Sequence, residues 1–127
     1  PAYDEIRRRF LAPLKLDLIA PQLGPEIAGL APGYAGAANP FGVGDEMVRD
    51  GRMTLNPRFE WGGGGFATAP RDLARWGHAL YAGSVLPAPM RQLMRDAAVP
   101  AALGPGVRYG VGAIIRPSTP VGPTIGH

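Results

Sequence analysis

The residues that could perform covalent chemistry are few, and their spacing does not assemble a catalytic group. The chain has two serines, Ser84 and Ser118, and a single lysine, Lys15. A serine becomes a nucleophile when a nearby base removes its proton, and a lysine three residues later can be that base. Neither serine has such a lysine, and neither lies in a Gly-x-Ser-x-Gly turn. We therefore predict that both are loop residues.

The two histidines are the remaining candidates for acid–base or metal chemistry. His78 falls on the same side of a predicted helix as Arg71 and Arg75, so it is predicted to face solvent. His127, considered by itself, is a chain-terminal histidine with no fixed role. Neither histidine belongs to a His-Glu-x-x-His motif or has cysteine partners. We predict that the chain holds no metal ion.

A glycine run followed by a helix is the most distinctive segment. Gly62 to Gly65 are four consecutive glycines. Thr68 is predicted to cap the helix by accepting hydrogen bonds from first-turn amides, and Pro70 fits there because it lacks an amide proton. Asp72 lies near the positive end of the helix dipole, which favours a carboxylate. Such a run before an anchored helix indicates backbone that passes close to another group.

The helix after the glycine run has one apolar face. Leu73, Trp76 and Leu80 recur at three- and four-residue spacing, which predicts that they lie together. Gly83 is predicted to end the helix in a left-handed conformation.

Two further helices are predicted on either side of this segment. Residues 2–11 form the first, which Pro13 ends because proline cannot supply an interior amide. Residues 87–99 form the second, with four residues on its inward face: Met90, Leu93, Met94 and Ala97.

Strands and one tight turn complete the prediction. Asp50-Gly51 favours a hairpin turn. Residues 109–116 predict a strand covered on both faces, and residues 121–127 predict a strand that returns beside it.

Composition excludes several classes of protein. The 127 residues suffice for one small domain, and the 19 glycines and 15 prolines lie between apolar segments, which indicates long ordered loops. Net charge is +3, and the only basic run, Arg7 to Arg9, lies around a helix that also carries Asp4 and Glu5, so we predict a solvated helix face rather than a nucleic-acid site. There is no cysteine and no segment of about 20 apolar residues that could span a membrane.

Five segments, in order along the chain, resemble the serine β-lactamase-like hydrolases, which include class C β-lactamases, D-Ala-D-Ala carboxypeptidases and esterases. The segments are residues 10–17 (FLAPLKLD), 30–34 (LAPGY), 61–83 (the glycine run with Asp-Leu-Ala-Arg-Trp), 109–112 (YGVG) and 126–127 (GH). The last pair matches the start of the family's third motif, which is His or Lys, then Ser or Thr, then Gly.

The other family motifs are missing. The family uses a Ser three residues before a Lys, whereas Ala12 stands three residues before Lys15. No tyrosine is followed two residues later by asparagine, as the second motif requires. The resemblance therefore implies an internal portion of a larger enzyme, which starts after the second motif and stops within the third. We expect these residues alone not to catalyse acyl transfer.

The resemblance also implies a fold and a partner set. The fold class is α/β (α+β): a partial β-lactamase/transpeptidase-like domain covering residues 1–127. Residues 1–108 form its helical and loop region, and residues 109–127 begin a late antiparallel strand pair.

The parent enzyme would attack an ester, amide or β-lactam carbonyl in a small-molecule or peptidoglycan-like substrate. No cofactor, nucleic acid or membrane span is implied. The remainder of the parent domain would be the chain's partner, and a periplasmic or secreted location is favoured over the cytoplasm.

Four site residues follow from the resemblance. His127 is predicted as a catalytic residue at the edge of the cleft, and Trp61, Gly63 and Gly64 as substrate-binding residues. Class C relatives place an aromatic residue where Gly63 stands, which favours a looser esterase or peptidase pocket. Trp61 lines the cleft or covers the core, and both interpretations stay open. Two alternatives to the enzyme also stay open, a non-catalytic binding or scaffold module with the same fold and a basic nucleic-acid module.

Overall fold

A computed structural model of the chain describes residues 2–36, 38–40, 42, 44–59 and 64–127. The chain divides into two compact units, Pro1–Leu73 and Ala74–His127. The elements in order are α1 (Ala2–Ile6), a π-helical turn (Arg7–Leu11), β1 (Ile19–Pro21), β2 (Gly33–Tyr34), β3 (Glu46–Arg49), β4 (Arg52–Met53), β5 (Phe66–Thr68), α2 (Pro70–Tyr81), α3 (Ala88–Asp96), β6 (Val99–Pro100), β7 (Arg108–Tyr109), β8 (Ile114–Arg116) and β9 (Thr124–Gly126).

The N-terminal helix changes pitch before it ends. The Ala12 amide donates to the Arg7 carbonyl at 2.9 Å, and the Leu16 amide donates to Leu11 at 2.9 Å, so both bonds span five residues. Leu11 and Leu16 are buried and contribute to the core of the first unit. The predicted helix and its end near Pro13 are confirmed, while the widened turn was not predicted.

The predicted Asp-Gly hairpin is confirmed. β3 and β4 pair antiparallel with Arg49 opposite Arg52, which leaves a two-residue loop. Asp50 and Gly51 both have positive φ, at 50° and 74°. Positive φ at both central residues defines a type I′ turn, whose twist matches that of the two paired strands. β2 adds to the other side of β3, and Val48 is buried in this three-stranded sheet.

The start of α2 differs from the prediction by one residue. Thr68 belongs to β5, and its hydroxyl donates to the Ala69 carbonyl at 3.2 Å instead of accepting from first-turn amides. The Ala69 carbonyl accepts from the amides of Asp72 and Leu73, each at 3.0 Å, so Ala69 occupies the cap position. The predicted Thr68 cap is therefore wrong, because pairing of β5 continues up to Thr68. Pro70 begins the helix as predicted.

Glycine ends α2 for a different reason than predicted. Gly83 does not have a positive φ. The amides of Ala82 and Gly83 both donate to the His78 carbonyl at 2.9 Å. A Cβ at Gly83 would lie 2.8 Å from Ala79 Cα, so the last turn closes too tightly for a side chain. The predicted left-handed stop is wrong, and close backbone contact is what requires glycine.

The apolar faces of α2 and α3 are less covered than their spacing predicts. Leu73 is 55% exposed, whereas Trp76 is half-buried. On α3, Met90 is 46% and Leu93 is 47% exposed. Helical spacing identifies an apolar stripe, but it does not identify an element that packs on the whole stripe. The inward placement predicted for Met90, Leu93 and Ala97 is therefore wrong in the described structure, because all three are exposed.

The second unit contains a four-stranded antiparallel sheet in the order β6-β7-β8-β9. The predicted single strand over 109–116 is instead a hairpin, because the Gly110 amide donates to the Ala113 carbonyl at 2.7 Å and Gly112 has φ 65°. Ala113 is fully buried at this turn. The predicted return strand is confirmed as β9, which pairs antiparallel with β8.

The secondary structure is mixed, as predicted, but strands are more widely distributed. β1 to β6 lie within residues 1–108, where the sequence predicted helix and loop. Strands of two to four residues bounded by Gly and Pro are too short to show the two-residue periodicity of a strand. Within the described residues, no helix is long and apolar enough to cross a membrane.

Candidate functional site

The glycine run leads into β5 through Gly64 and Gly65. Gly64 is exposed, and Gly65 has φ 93°, a left-handed value that favours glycine. The Gly65 carbonyl accepts from the Gln22 amide at 2.8 Å. The predicted substrate-binding residues Trp61 and Gly63 lie outside the described residues. Their role, like that of Gly64, stays a prediction.

A short antiparallel ladder holds the chain between the glycine run and α2. β5 pairs with β1, with Ala67 opposite Ala20. Beyond the ladder the Ala69 amide donates to the Leu18 carbonyl at 3.1 Å. The Leu18 amide in turn donates to Asp72 Oδ2 at 2.9 Å. Both backbone polar groups of Leu18 are therefore bonded to the start of α2.

Asp72 is the buried charge of this junction. Its side chain has no exposed area, and Oδ1 accepts from Arg71 Nε at 3.2 Å. Its place in the first helical turn lets the helix dipole stabilise the carboxylate, as predicted. The bond to Leu18 was not predicted, because the two residues are 54 positions apart. The result is a buried bond between the start of α2 and the residue before β1, and a binding segment needs a scaffold held in this way.

His127, the predicted catalytic-cleft residue, follows β9 in the second unit. Across the sheet, Tyr109 on β7 pairs with Ile114 on β8, which pairs with Gly126 on β9. Tyr109 and Gly126 therefore lie on one face, two strands apart. The Tyr109 hydroxyl reaches His127 Nε2 at 2.7 Å, and the ring centroids are 5.8 Å apart with a 76° angle between planes.

The partner of His127 is the main site feature that sequence reasoning missed. Tyr109 entered the sequence analysis only as part of a family-like segment. Tyr109 is 38% exposed, and His127 is also exposed, so both rings could contact a ligand. Sheet register places residues 109 and 126 on one face, but alternation would place residue 127 on the other face if the strand continued, so no sequence signal predicts this contact.

The other chemical candidates lie on the surface. His78 is exposed, as predicted, and Ser84 and Ser118 are exposed loop residues, also as predicted. Among the described residues, no group of three or more His, Asp or Glu side chains could hold a metal ion.

A groove of the first unit has a lining that includes neither Gly64 nor Gly65. It has a volume of about 1060 Å³ and borders the β3–β4 hairpin. Its lining carries four carboxylates and two arginines, of which Arg49 bonds to Glu46 and Arg52 bonds to Glu26. The described members of the predicted site, Gly64 and His127, are not among its lining residues.

The arginine run forms a solvated, partly neutralised helix face. Arg8 bonds to both carboxylate oxygens of Glu5, at 2.7 and 3.0 Å, and Arg9 also bonds to Glu5. The bonds from Arg8, and then from Arg9, lower the pKa of the Glu5 carboxyl below its ordinary value. All three arginines are exposed, which agrees with the solvated-face interpretation.

Comparison with solved structures gives one informative likeness. The whole chain superposes on 36% of a D-stereospecific amidohydrolase from Streptomyces sp., with a TM-score of 0.75 and 25% sequence identity. The fold is similar to that of a β-lactamase-like amidohydrolase. The predicted mixed α+β fold of this type is thereby confirmed. No protein-family model matches the chain, and no curated protein matches it.

The likeness is to one part of a larger protein. The chain spans about a third of the amidohydrolase to which it is similar, because 36% of that protein is covered. The neighbour is a hydrolase, which supports the hydrolase interpretation of the sequence in general terms.

Proposed function

We propose that the chain is part of a serine hydrolase of the β-lactamase type, in which a serine elsewhere in the protein attacks an amide, ester or β-lactam carbonyl. The reaction would proceed through an acyl-enzyme that water releases. The observation that supports this most is the likeness of the whole chain to a D-stereospecific amidohydrolase. Because that relative cleaves amides, we favour an amide among the three substrate classes.

In this proposal the chain supplies walls of the substrate cleft and lacks the nucleophile. Residues 1–127 are part of a single domain completed by the remainder of the parent protein. Trp61, Gly63 and Gly64 contact substrate, and the buried Asp72 anchor keeps the loop in place. His127 binds the substrate's acidic group or helps to orient the nucleophile. No cofactor takes part.

Turnover assays on two forms of the protein test the proposal. The complete gene product should hydrolyse nitrophenyl acetate, a chromogenic cephalosporin or an amino-acid amide, with D-amides preferred over L-amides. The 127-residue chain should not exceed buffer. Replacing both serines, Ser84→Ala with Ser118→Ala, should leave the activity of the complete product unchanged. These variants are a matched control because both serines are exposed loop residues.

Four results would contradict the proposal. The 127 residues could turn over substrate by themselves, or the double serine variant could lose activity. A complete product with no activity would favour the non-catalytic module of the same fold. Binding of the protein to DNA with an affinity that falls steeply as salt increases would favour the nucleic-acid alternative.

A further inference from the structure

We infer that Tyr109 is a positioning residue that fixes the ring and the tautomer of His127. The effect that we infer on catalysis rests on the proposed function. The contact between the two side chains does not depend on it. A 2.7 Å contact joins the Tyr109 hydroxyl to His127 Nε2. A hydroxyl at this distance forms a good hydrogen bond.

The sheet determines where Tyr109 lies. The turn over 110–113 is closed by the bond from the Gly110 amide to the Ala113 carbonyl, 2.7 Å long. It brings Tyr109 opposite Ile114, and the next strand brings Gly126 opposite Ile114. This register places Tyr109 one strand away from the end of β9, and its hydroxyl contacts His127, the residue that follows the strand. A residue in an unpaired loop would not be held at a fixed position relative to β9.

Glycine at position 110 is required for this arrangement. A Cβ there would collide with the Met94 carbonyl oxygen and would lie 3.3 Å from the Ala98 Cβ. The strand therefore packs directly on the backbone at the end of α3. This contact keeps the Tyr109 backbone in place, so the hydroxyl is presented to His127 by a rigid element.

The hydrogen bond has a chemical consequence for the imidazole. A neutral imidazole has one nitrogen that donates and one that accepts. We assign Tyr109 as the donor, so Nε2 accepts and the proton lies on Nδ1. The free Nδ1–H can then donate to an acceptor on the substrate, such as a carboxylate or carbonyl oxygen. The edge-to-face ring contact, at 5.8 Å and 76°, restricts rotation of the imidazole.

Nitrogen NMR of histidine-labelled protein tests the assignment, because the two ring nitrogens report the tautomer directly. The spectra are recorded near pH 8.5, where a free imidazole is neutral. His127 should carry its proton on Nδ1. His78, which is exposed, provides an internal reference and should show the mixture seen for free histidine, in which Nε2–H dominates.

Tyr109→Phe keeps the aromatic ring and removes only the hydroxyl. His127 should then shift to the mixture shown by His78. Tyr34→Phe is the matched control, because it removes an exposed hydroxyl from the other unit and should leave His127 unchanged. Nε2–H on His127 in the unmodified protein, or no change in Tyr109→Phe, would overturn the assignment.

A kinetic cycle on the complete gene product separates positioning from structure. Tyr109→Phe should lower kcat/KM about fivefold, the effect of one hydrogen bond. In a His127→Ala background the same change should have no further effect, since Tyr109 acts through His127. Equal effects in both backgrounds would contradict the inference. An inactive product with the predicted tautomer would instead contradict the proposed function alone.

Discussion

Asp72 accepts a hydrogen bond from the backbone amide of Leu18 at 2.9 Å, across 54 positions of the chain. The carboxylate is fully buried and lies in the first turn of α2. One side chain thus joins the start of α2 to the residue that precedes β1, the strand that pairs with β5. This contact is the main long-range polar link that we find around the predicted substrate loop.

Removing that carboxylate should destabilise the first unit. Asp72→Ala leaves the Leu18 amide without its acceptor, which costs about 1–3 kcal/mol of unfolding free energy. Asp72→Asn should cost less, because an amide oxygen can still accept. Urea unfolding followed by tryptophan fluorescence measures both values. Asp17→Asn, an exposed carboxylate beside Leu18, is the control and should change stability little. Equal stability of all three variants would show that the link is not structural.

The Glu5–arginine cluster should make α1 sensitive to acid. Since Arg8 and then Arg9 lower the pKa of Glu5 below its ordinary value of 4.5, the stabilisation is complete above that pH. It is lost as the pH falls through the lowered value. Arg8→Gln should therefore raise the pKa of Glu5 toward 4.5, as measured by carboxyl-carbon NMR.

Arg7→Gln is the matched control for that titration, because Arg7 is exposed on the same turn and makes no described bond to Glu5. It should leave the Glu5 pKa nearly unchanged. High salt should weaken the difference, since exposed ion pairs are screened. Identical titrations in the Arg7 and Arg8 variants would contradict the described pairing.

Two glycines around α2 should respond oppositely to alanine. Gly77 lies inside the helix with nothing within 4 Å of a Cβ, so Gly77→Ala should stabilise by about 0.5–1 kcal/mol through helix propensity. Gly83→Ala should destabilise, because its Cβ would lie 2.8 Å from Ala79 Cα. Thermal unfolding of the two variants checks the signs. A stabilising Gly83→Ala would show that the last turn of α2 is looser than described.

Local signals in the sequence predicted local structure well. Asp50-Gly51 forms the predicted turn, and Pro70 begins the predicted helix. These residues act through their own backbone preferences, so no distant contact is needed. His78 was correctly predicted to be exposed, because its helical neighbours are arginines.

Features that depend on distant residues were not accessible from sequence. Thr68 resembles a cap, but pairing with β1 makes it a strand residue. Gly83 resembles a left-handed stop, although only its contact with Ala79 shows why glycine stands there. Gly110-Val-Gly112 is compatible with a strand or a turn, and packing of Ala113 selects the turn.

The candidate site was predicted in part. His127 was identified by resemblance, but its partner Tyr109 depends on sheet register that the sequence does not define. Trp61 and Gly63 stay predictions outside the described residues.

Covalent labelling shows most directly where the nucleophile lies in the sequence. The complete gene product and the 127-residue chain are each treated with a serine-directed acylating probe, and the modified peptide is identified by mass spectrometry. We predict a single acylated serine outside residues 1–127 and no label on the shorter chain. Acylation of Ser84 or Ser118 accompanied by turnover would contradict the proposal that these residues form a cleft without its nucleophile.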